Sequence, residues 1–390
     1  MKKNIENNKP SILLLIVLVG FPQISETIFS PSIPSISRAF GVPMDEAQWT
    51  MSIYFVAFAI GVYYFGTLSD RIGRRKAMLI GITLYILGNL LCVLANDFTL
   101  LLIARFLQAF GASVGSIITQ TILRESFNGV DRHKAFAQIS AALAFTPAIG
   151  PLMGGFTNYY FGLQAVFLLL VGFSVILLAT TYAKLPETIT LPITKKPLRP
   201  TLKRMIHDKR LWAYCLLIGG LNGIIFSYYS EAAFIFTKHF ELSTATFGTL
   251  GIVVAIATVI GALTSKKLLE KFKAETIISI GIAIFLLGSL CALLVSYSPD
   301  KLQLLGLIIS IFIILFGVGL ALPNCLSLAL VDFQQEIGTA GAIFSLMYYL
   351  LVSLIIYGMS YVHNGSITAM PVYFLLIGSI MMIVSVRKEK

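Results

Sequence analysis

Charged residues are scarce in this chain of 390 residues, because Asp, Glu, Lys and Arg together make up only 12% of it. Soluble domains carry about twice that share, and apolar residues here reach 57%. So few charges could not cover the surface of a water-soluble fold, which excludes a soluble enzyme, a disordered chain and a nucleic-acid-binding protein. The net charge of +11 would suggest an anionic partner, so the positions of the basic residues decide its meaning.

Residues that hold metals or form disulfides are also few. The four cysteines stand singly in apolar runs, which is typical of buried thiols that pack as small hydrophobic groups. The four histidines are scattered over short polar connections, and no phosphate-binding GxxxxGK(S/T) sequence occurs. We therefore expect no metal and no cofactor, and an ion gradient or the substrate itself as the energy source. The cysteines are Cys92, Cys215, Cys291 and Cys325.

Twelve windows are long and apolar enough to cross a membrane as helices, which takes about 20 residues each. They predict an all-α integral membrane protein, with an uncleaved first helix because no small-residue cleavage site follows it. The one long polar connection predicts a six-helix bundle over 1–183, a cytoplasmic central loop over 184–210 and a second six-helix bundle over 211–390. The windows are 11–30, 47–68, 77–95, 99–122, 135–157, 164–183, 211–234, 246–264, 276–296, 302–326, 337–360 and 370–386.

Lysine and arginine are distributed unevenly over the segments between these windows. With a cytoplasmic N-terminus, 25 of the 29 fall in cytoplasmic segments, 3 fall in outer loops and Arg105 lies inside a window. Because cytoplasmic loops carry the excess of basic residues, we expect an inner-membrane protein with both termini in the cytoplasm. The positive charge is then an orientation signal and need not indicate an acidic ligand.

A short repeat relates the two halves of the sequence. The second window ends in GTLSD at 66–70 and the eighth ends in GALTS at 261–265, 195 positions later, and basic residues follow both. The string is short, but it falls at the corresponding helix end in each half. Two six-helix halves of parallel topology are one plan for secondary transporters, in which the substrate binds between the halves near the middle of the membrane.

The turn between the second and third windows reads GTLSDRIGRRKAML over 66–79. It resembles the G-x-L-a-D-r-x-G-r-k signature of the major facilitator superfamily, which implies the twelve-helix fold of that family and a conformational latch. Small Gly66 would permit close helix approach, and basic neighbours or a helix N-terminus would hold Asp70. A turn that only orients the chain would explain the arginines but not the Gly-Leu-Asp-Gly frame. The matching residues are Gly66, Leu68, Asp70, Arg71, Gly73, Arg74 and Arg75.

Three further segments resemble the same family. Residues 105–111, RFLQAFG, are similar to its R-x-x-Q-G-x-G sequence, and residues 22–34 resemble drug:proton antiporters of the Bcr/CflA type, with Glu26 slightly displaced from their usual acid. Residues 147–155, PAIGPLMGG, resemble the G-P-x-x-G-G motif of antiporter branches, although these residue types also serve helix packing alone. The residues of that motif are Pro147, Gly150, Pro151, Gly154 and Gly155.

Two ionisable residues, Glu26 and Arg105, lie inside apolar windows, where such residues usually have a function. At about 1.5 Å per residue, Glu26 lies about 21 Å from the inner start of its helix and Arg105 about 9 Å from the outer start of its own. In a core of about 30 Å the two reach one level and could share a cavity with Gln108. They could form a static ion pair, or the carboxyl could take up a proton on one side and release it on the other.

Glu231 in the seventh window is the third candidate for proton coupling. It lies near the outer end of its helix, so it could be a solvated helix-end carboxylate or a second acid in the cavity. Hydroxyl and amide groups inside the windows need polar partners, which makes their residues candidates for the cavity wall. The candidate substrate-binding residues are Glu26, Tyr54, Gln108, Asn222, Tyr228, Tyr229, Asn324 and Tyr348.

The leading hypothesis is a secondary active transporter, not an enzyme, that exports small organic compounds such as drugs by proton antiport with alternating access. Arg105 could instead receive a carboxylate-bearing siderophore or metabolite, so a dedicated exporter of such a compound is the alternative. A membrane enzyme would need histidines or acids clustered at one depth, and a channel would need a short filter repeat. We expect a monomer whose partners are the small-molecule substrate, protons and the lipid bilayer, with no nucleic acid.

Overall fold

The computed structural model describes residues 10–127, 135, 138–139, 142–143, 145–188 and 198–387. This part of the chain forms twelve long helices, of which eleven are long and apolar enough to span a membrane and α5 has 16 described residues. The all-α membrane fold is thereby confirmed. The helices are α1 Ile12–Phe40, α2 Met44–Ile72, α3 Arg74–Leu94, α4 Phe98–Ser126, α5 Thr146–Phe161, α6 Leu163–Lys184, α7 Lys209–His239, α8 Thr244–Leu268, α9 Ala274–Val295, α10 Asp300–Leu328, α11 Ile337–Val362 and α12 Ala369–Arg387.

Prolines interrupt α1, because proline cannot donate a backbone hydrogen bond. Pro22 lies inside its first segment, a single tighter turn follows at Ser30–Ser32, and a last segment runs over Ile33–Phe40. Gly41, with φ 65°, then ends the helix in the left-handed conformation that glycine adopts without strain. Glu26 therefore lies in the last turn of the first segment, directly before the interruption.

The helices run between two faces of the molecule. We call the face with the start of α1 and the α2–α3 turn at Gly73 the terminal face, and the face with the α1–α2 turn at Gly41 the distal face. In the first half, α4 packs on α2 and α3, and α3 packs on α6. In the second half, α10 packs on α8 and α9, and α9 packs on α12. The same pairings thus recur six helices apart.

The connection over 184–210, expected to be a loop, contains a short helix at Leu198–His207, which we call the linker helix. Leu202 and Met205 lie on one side of it, and Met205 is fully buried where the linker helix packs on α11. The Arg204 guanidinium lies 5.0 Å from the centroid of the Phe333 ring. The linker helix is amphipathic, and its apolar side is buried against α11. This contact anchors the connection to the second half.

The two halves are joined near the distal face. There α2 packs on α11 and α5 on α8. In the middle of α11, by contrast, Tyr348 and Tyr349 remain partly exposed although they face the first half. The molecule is therefore closed at the distal face, where the halves meet, and the two tyrosines keep some exposed surface at mid-depth. The hydrogen bonds that cross near the distal face run from Ser30 Oγ to Tyr229 O, Gln48 Nε2 to Glu231 Oε2, Thr244 Oγ1 to Gly155 O, Ser353 Oγ to Ser52 O and Ser360 Oγ to Asp45 O.

Candidate functional site

Arg105 lies on α4 with no exposed surface, and its contacts are with uncharged groups. The guanidinium stands over the rings of Phe29 and Tyr54, 4.2 and 4.6 Å from their centroids. It donates hydrogen bonds to Gln108 Oε1 and, at 3.4 Å, to the backbone carbonyl of Thr50. Among the described residues, no carboxylate oxygen forms an ion pair with it within 4.0 Å. The cation is thus held by ring faces and dipoles without a neutralising partner.

Side-chain amides fix Gln108 beside Arg105. Gln108 Nε2 donates to Asn89 Oδ1 on α3, and Asn89 Nδ2 donates to the Tyr85 carbonyl at 2.8 Å. A Cβ at Gly88 would overlap the Gln108 backbone, so only glycine there lets α3 approach this closely. Asn89 was missed by the sequence reasoning, although the rule that selected Asn222 and Asn324 would also have selected it.

Glu26 on α1 is only 5% exposed. No described residue donates a hydrogen bond to its carboxyl, and none forms an ion pair with it. The charge of Arg105 nevertheless acts on this carboxyl through space. A buried carboxyl without partners either carries a proton or needs a cation from elsewhere. The structure thus brings Glu26 and Arg105 to one site but does not join them in a contact ion pair.

Tyr348 and Tyr349 on α11 complete the site from the second half. Both hydroxyls lie within electrostatic reach of Glu26. The Tyr349 ring packs edge-on against Phe58 of α2, with 4.9 Å between centroids, and the two tyrosine rings are 4.4 Å apart. The sequence reasoning included Tyr348 but missed Tyr349, because adjacent helical residues usually point to different sides.

Both candidate asparagines donate hydrogen bonds within the second half. Asn222 Nδ2 donates to the Ile218 carbonyl one turn earlier, at 2.9 Å. Asn324 Nδ2 donates to Ser265 Oγ at 2.7 Å, which joins α10 to α8 within the second half. Tyr228 and Tyr229 are buried with their rings 5.4 Å apart. Their part in substrate binding stays a prediction.

A second buried arginine, Arg74, lies at the terminal face where α3 begins. Its side chain is 2% exposed and pairs with Asp70 Oδ1 at 2.5 Å and with Glu125 Oε1 at 2.7 Å. It also donates to Ser69 Oγ at 2.7 Å. The predicted basic neighbour of Asp70 is therefore present, but Asp70 itself is 45% exposed. Glu125 at the end of α4 was not singled out from the sequence, because its distant position in the chain hides the contact.

The carboxylate of Glu187 caps the start of α3. It accepts hydrogen bonds from the backbone N–H groups of Arg74 and Arg75, at 2.8 and 3.2 Å, as a negative charge at a helix N-terminus is expected to do. Gly73, with φ 97°, makes room for it, because a Cβ there would overlap the Glu187 carboxylate. In the same turn Leu68 is half-buried and Arg71 exposed.

The glycine of the turn signature packs less closely than predicted. A Cβ at Gly66 would lie 3.4 Å from Ile117 Cγ1 on α4, which is nearly ordinary contact, whereas a Cβ at Gly61 would lie 2.7 Å from the Phe110 carbonyl oxygen. The close approach of α2 to α4 therefore depends on Gly61 and not on Gly66. The sequence analysis placed this close approach at Gly66, about one and a half turns too late, because it relied on the motif.

The glycines of α5 pack against two helices near the distal face. A Cβ at Gly150 or Gly154 would overlap Thr27 or Ile28 of α1, and one at Gly155 would overlap the Thr244 carbonyl of α8. Pro151 lies inside α5, and its carbonyl oxygen faces Gly248 of α8. Pro147 stands in the first turn of α5, and its side chain lies outside the described residues. These glycines thus allow both the α1–α5 and the α5–α8 packing.

Glu231 belongs to a separate cluster near the distal face. It has no exposed surface and accepts hydrogen bonds from Gln48 Nε2 at 2.8 Å and from His363 Nδ1 at 2.8 Å. It is therefore not a solvated helix-end carboxylate. The sequence analysis placed His363 in a polar connection. Nothing in the sequence showed that this connection folds back over α7, so the contact with Glu231 was not predicted.

Comparisons with known proteins agree with this architecture. The family model described as Major Facilitator Superfamily matches residues 15–357. An "Uncharacterized transporter" of Rickettsia felis is 32% identical over 92% of this chain and 91% of its own. "Multidrug resistance protein D" of Escherichia coli is 26% identical over 87% and 85%, and a "Chloramphenicol resistance protein" of Pseudomonas aeruginosa is 26% identical over 86% and 80%.

The fold is also found in a solved structure. The crystal structure of a D-xylose–proton symporter superposes with a TM-score of 0.76 over 95% of this chain and 96% of its own, at 15% sequence identity. The chain is therefore a multi-pass membrane protein with a transporter fold. It belongs to the major facilitator superfamily, as the turn at 66–79 indicated.

Proposed function

We propose that this protein exports small organic compounds in exchange for protons, in the manner of the Bcr/CflA-type drug antiporters. The observation that carries the proposal is the Glu26 carboxyl, buried without a hydrogen-bond partner among the described residues and within reach of the Arg105 charge. Ionisable residues inside membrane-spanning helices are rare and commonly mark the pathways of substrates and protons.

Proton and substrate compete for Glu26 in this mechanism. A cationic substrate near the carboxyl favours its ionised form and expels the proton, and protonation in turn weakens the binding of the cation, so that exchange follows by linkage. The hydroxyls of Tyr54 and Tyr349, one from each half, lie within electrostatic reach of the carboxyl, and the Phe58 ring packs against Tyr349. Such aromatic groups suit flat, partly apolar compounds that carry a positive charge.

The proposed orientation has the terminal face in the cytoplasm and the distal face outside the inner membrane. The distribution of Lys and Arg supports it. The bundles 1–183 and 211–390 would then rock about the site between them. With the distal face closed, the described conformation would offer the site to substrate from the cytoplasm. No partner subunit is required, since one chain supplies both sides of the site.

A second candidate function is the export of a carboxylate-bearing siderophore or metabolite. One observation favours it: Arg105 has no carboxylate partner within 4.0 Å among the described residues, and its planar guanidinium suits a substrate carboxylate. Such a substrate would bind Arg105 directly and would be repelled by ionised Glu26.

Purified protein in proteoliposomes separates the two candidates. With an imposed pH gradient, we expect an aromatic cation such as ethidium to drive proton movement, and a citrate-based siderophore to drive none. The reverse result would support the carboxylate exporter. If neither compound caused proton movement and the pH gradient did not affect the transport of either, proton antiport would be refuted.

A further inference from the structure

The cluster of Glu231, His363 and Gln48 joins three distant parts of the chain close to the distal face. Glu231 lies in the last turns of α7, His363 follows the end of α11, and Gln48 precedes Trp49 in α2. We infer that these residues form a proton-binding gate: a proton on His363 holds the distal face closed, and its loss allows that face to open. The inference rests on the orientation proposed above, but not on the proposed substrate.

The gate follows from the burial of the Glu231 carboxylate. It has no exposed surface, and its two hydrogen-bond donors are one amide and one imidazole. A buried carboxylate is costly without a compensating positive charge. Gln48 can supply only a dipole, so a protonated His363 is the compensating charge that this cluster offers to an ionised Glu231. When the face opens and water reaches Glu231, that requirement disappears.

The cluster lies within the interface that has to separate. The bond from Gln48 to Glu231 crosses between the halves, and Ser360 Oγ donates to the Asp45 carbonyl beside it. Opening the distal face breaks both bonds and exposes Glu231 to water. A proton that strengthens the Glu231–His363 pair therefore stabilises the closed arrangement.

The charges that act on the His363 imidazole are those of Glu231 on α7 and Asp45 at the start of α2, and the Phe234 ring packs against it edge-on at 4.7 Å. Burial lowers the pKa of His363, but the hydrogen bond and charge of Glu231 and the charge of Asp45 outweigh it, so the pKa lies above its usual value of 6.5. The closed face therefore binds the proton more tightly than an open, solvated one.

The sign of the pH dependence follows. The stabilisation of the closed face is complete below the usual imidazole pKa and is lost as the external pH rises through the raised value. External acid thus favours closure of the distal face, which is the step that returns an exporter to the cytoplasm-facing state. The proton leaves on the side from which it came, so it regulates the cycle and is not itself transported.

Spin labels on the two halves test the gate. Ala39 on α1 and Lys238 on α7 are both exposed near the distal face, and their cysteine variants can be labelled after the four native cysteines are replaced. In nanodiscs we expect the population with a long inter-label distance to rise several-fold between about pH 5.5 and pH 8.5. The Glu26→Gln background removes any pH response that comes from the central site.

Substitution of His363 is the decisive variant. In the labelled Glu26→Gln background, His363→Gln should abolish the pH response, and His207→Gln, on the exposed linker helix, should leave it intact. Glu231→Gln should also abolish it and provides a second route if His363→Gln folds poorly. A His363→Gln protein that keeps the pH response would overturn the gate. A wild-type protein without any pH response would do so too, whereas a failure of drug–proton exchange would leave the gate standing.

Discussion

Two buried arginines, Arg74 and Arg105, carry the same charge in opposite surroundings. Arg74 pairs with the carboxylates of Asp70 and Glu125. Arg74 is also the first residue of α3, and the carboxylate of Glu187 caps that helix. Arg105 contacts rings, an amide and a backbone carbonyl. Both side chains are at most 2% exposed, so the difference lies in the partners and not in the burial.

This difference would separate a structural cluster from the proposed ligand-binding site. A cation with two carboxylate partners is already neutralised, and the arrival of another charge changes little around it. A cation without a carboxylate in contact interacts strongly with any negative charge that appears nearby. Loss of a proton from Glu26 or the arrival of a substrate would therefore alter the surroundings of Arg105 far more than those of Arg74.

The largest expected effect comes from Glu26→Gln. Glutamine keeps the volume and the hydrogen bonding of the side chain but cannot exchange a proton. With one-for-one exchange, a gradient of one pH unit should drive about tenfold accumulation of an aromatic cation in wild-type proteoliposomes, and none in the variant. Substrate-dependent proton release measured with an internal pH dye checks this. Release at the wild-type level would move the coupling role away from Glu26.

A smaller but still severe effect is expected for Arg105→Ala. Hydrogen bonds to charged groups are worth about 1.5–3 kcal/mol, so transport should fall by more than about tenfold. Arg105→Lys should retain more activity than Arg105→Ala without full recovery, because lysine keeps a charge but cannot lie flat against the Phe29 and Tyr54 rings. Efflux assays at matched expression compare them, with exposed Arg38→Ala as the control. Equal activity of the Ala variant and wild type would place Arg105 outside the mechanism.

The sequence predicted the features that depend only on position along a single helix. Hydropathy located the membrane helices, and the rise per residue placed Glu26 and Arg105 at one level. It did not predict Glu125, Glu187, Tyr349 or His363, because their partners are brought to them by helix packing and by connections that fold back. The sequence also left open whether Glu231 is a solvated helix-end carboxylate or a buried acid, and in the structure it has no exposed surface.

Removing one carboxylate partner of Arg74 tests how firmly that cluster is held. Glu125→Gln should shift the balance between the two conformations by about tenfold, since Glu125 accepts from both Nε and Nη2 of Arg74. Asp70→Asn should shift it less, because Asp70 is 45% exposed and surface pairs contribute at most about 1 kcal/mol. Spin-label distances across the distal face would show both shifts. A larger effect of Asp70→Asn would mean that Asp70 acts mainly in the conformation with the distal face open.

The smallest effect is expected for Gly66→Ala, in the same turn as Arg74. An added Cβ would meet only Ile117 Cγ1 at 3.4 Å, and alanine favours the helix over glycine by up to about 1 kcal/mol. The melting temperature in detergent should therefore stay equal or rise slightly. Gly73→Ala is the matched control and should lower it, because its φ of 97° strains alanine and the new Cβ would overlap the Glu187 carboxylate. If Gly66→Ala kept the melting temperature but lost transport, Gly66 would be needed where α2 meets another helix in the opposite conformation. The turn would then contain both a fixed ion-pair cluster and a contact that changes between conformations.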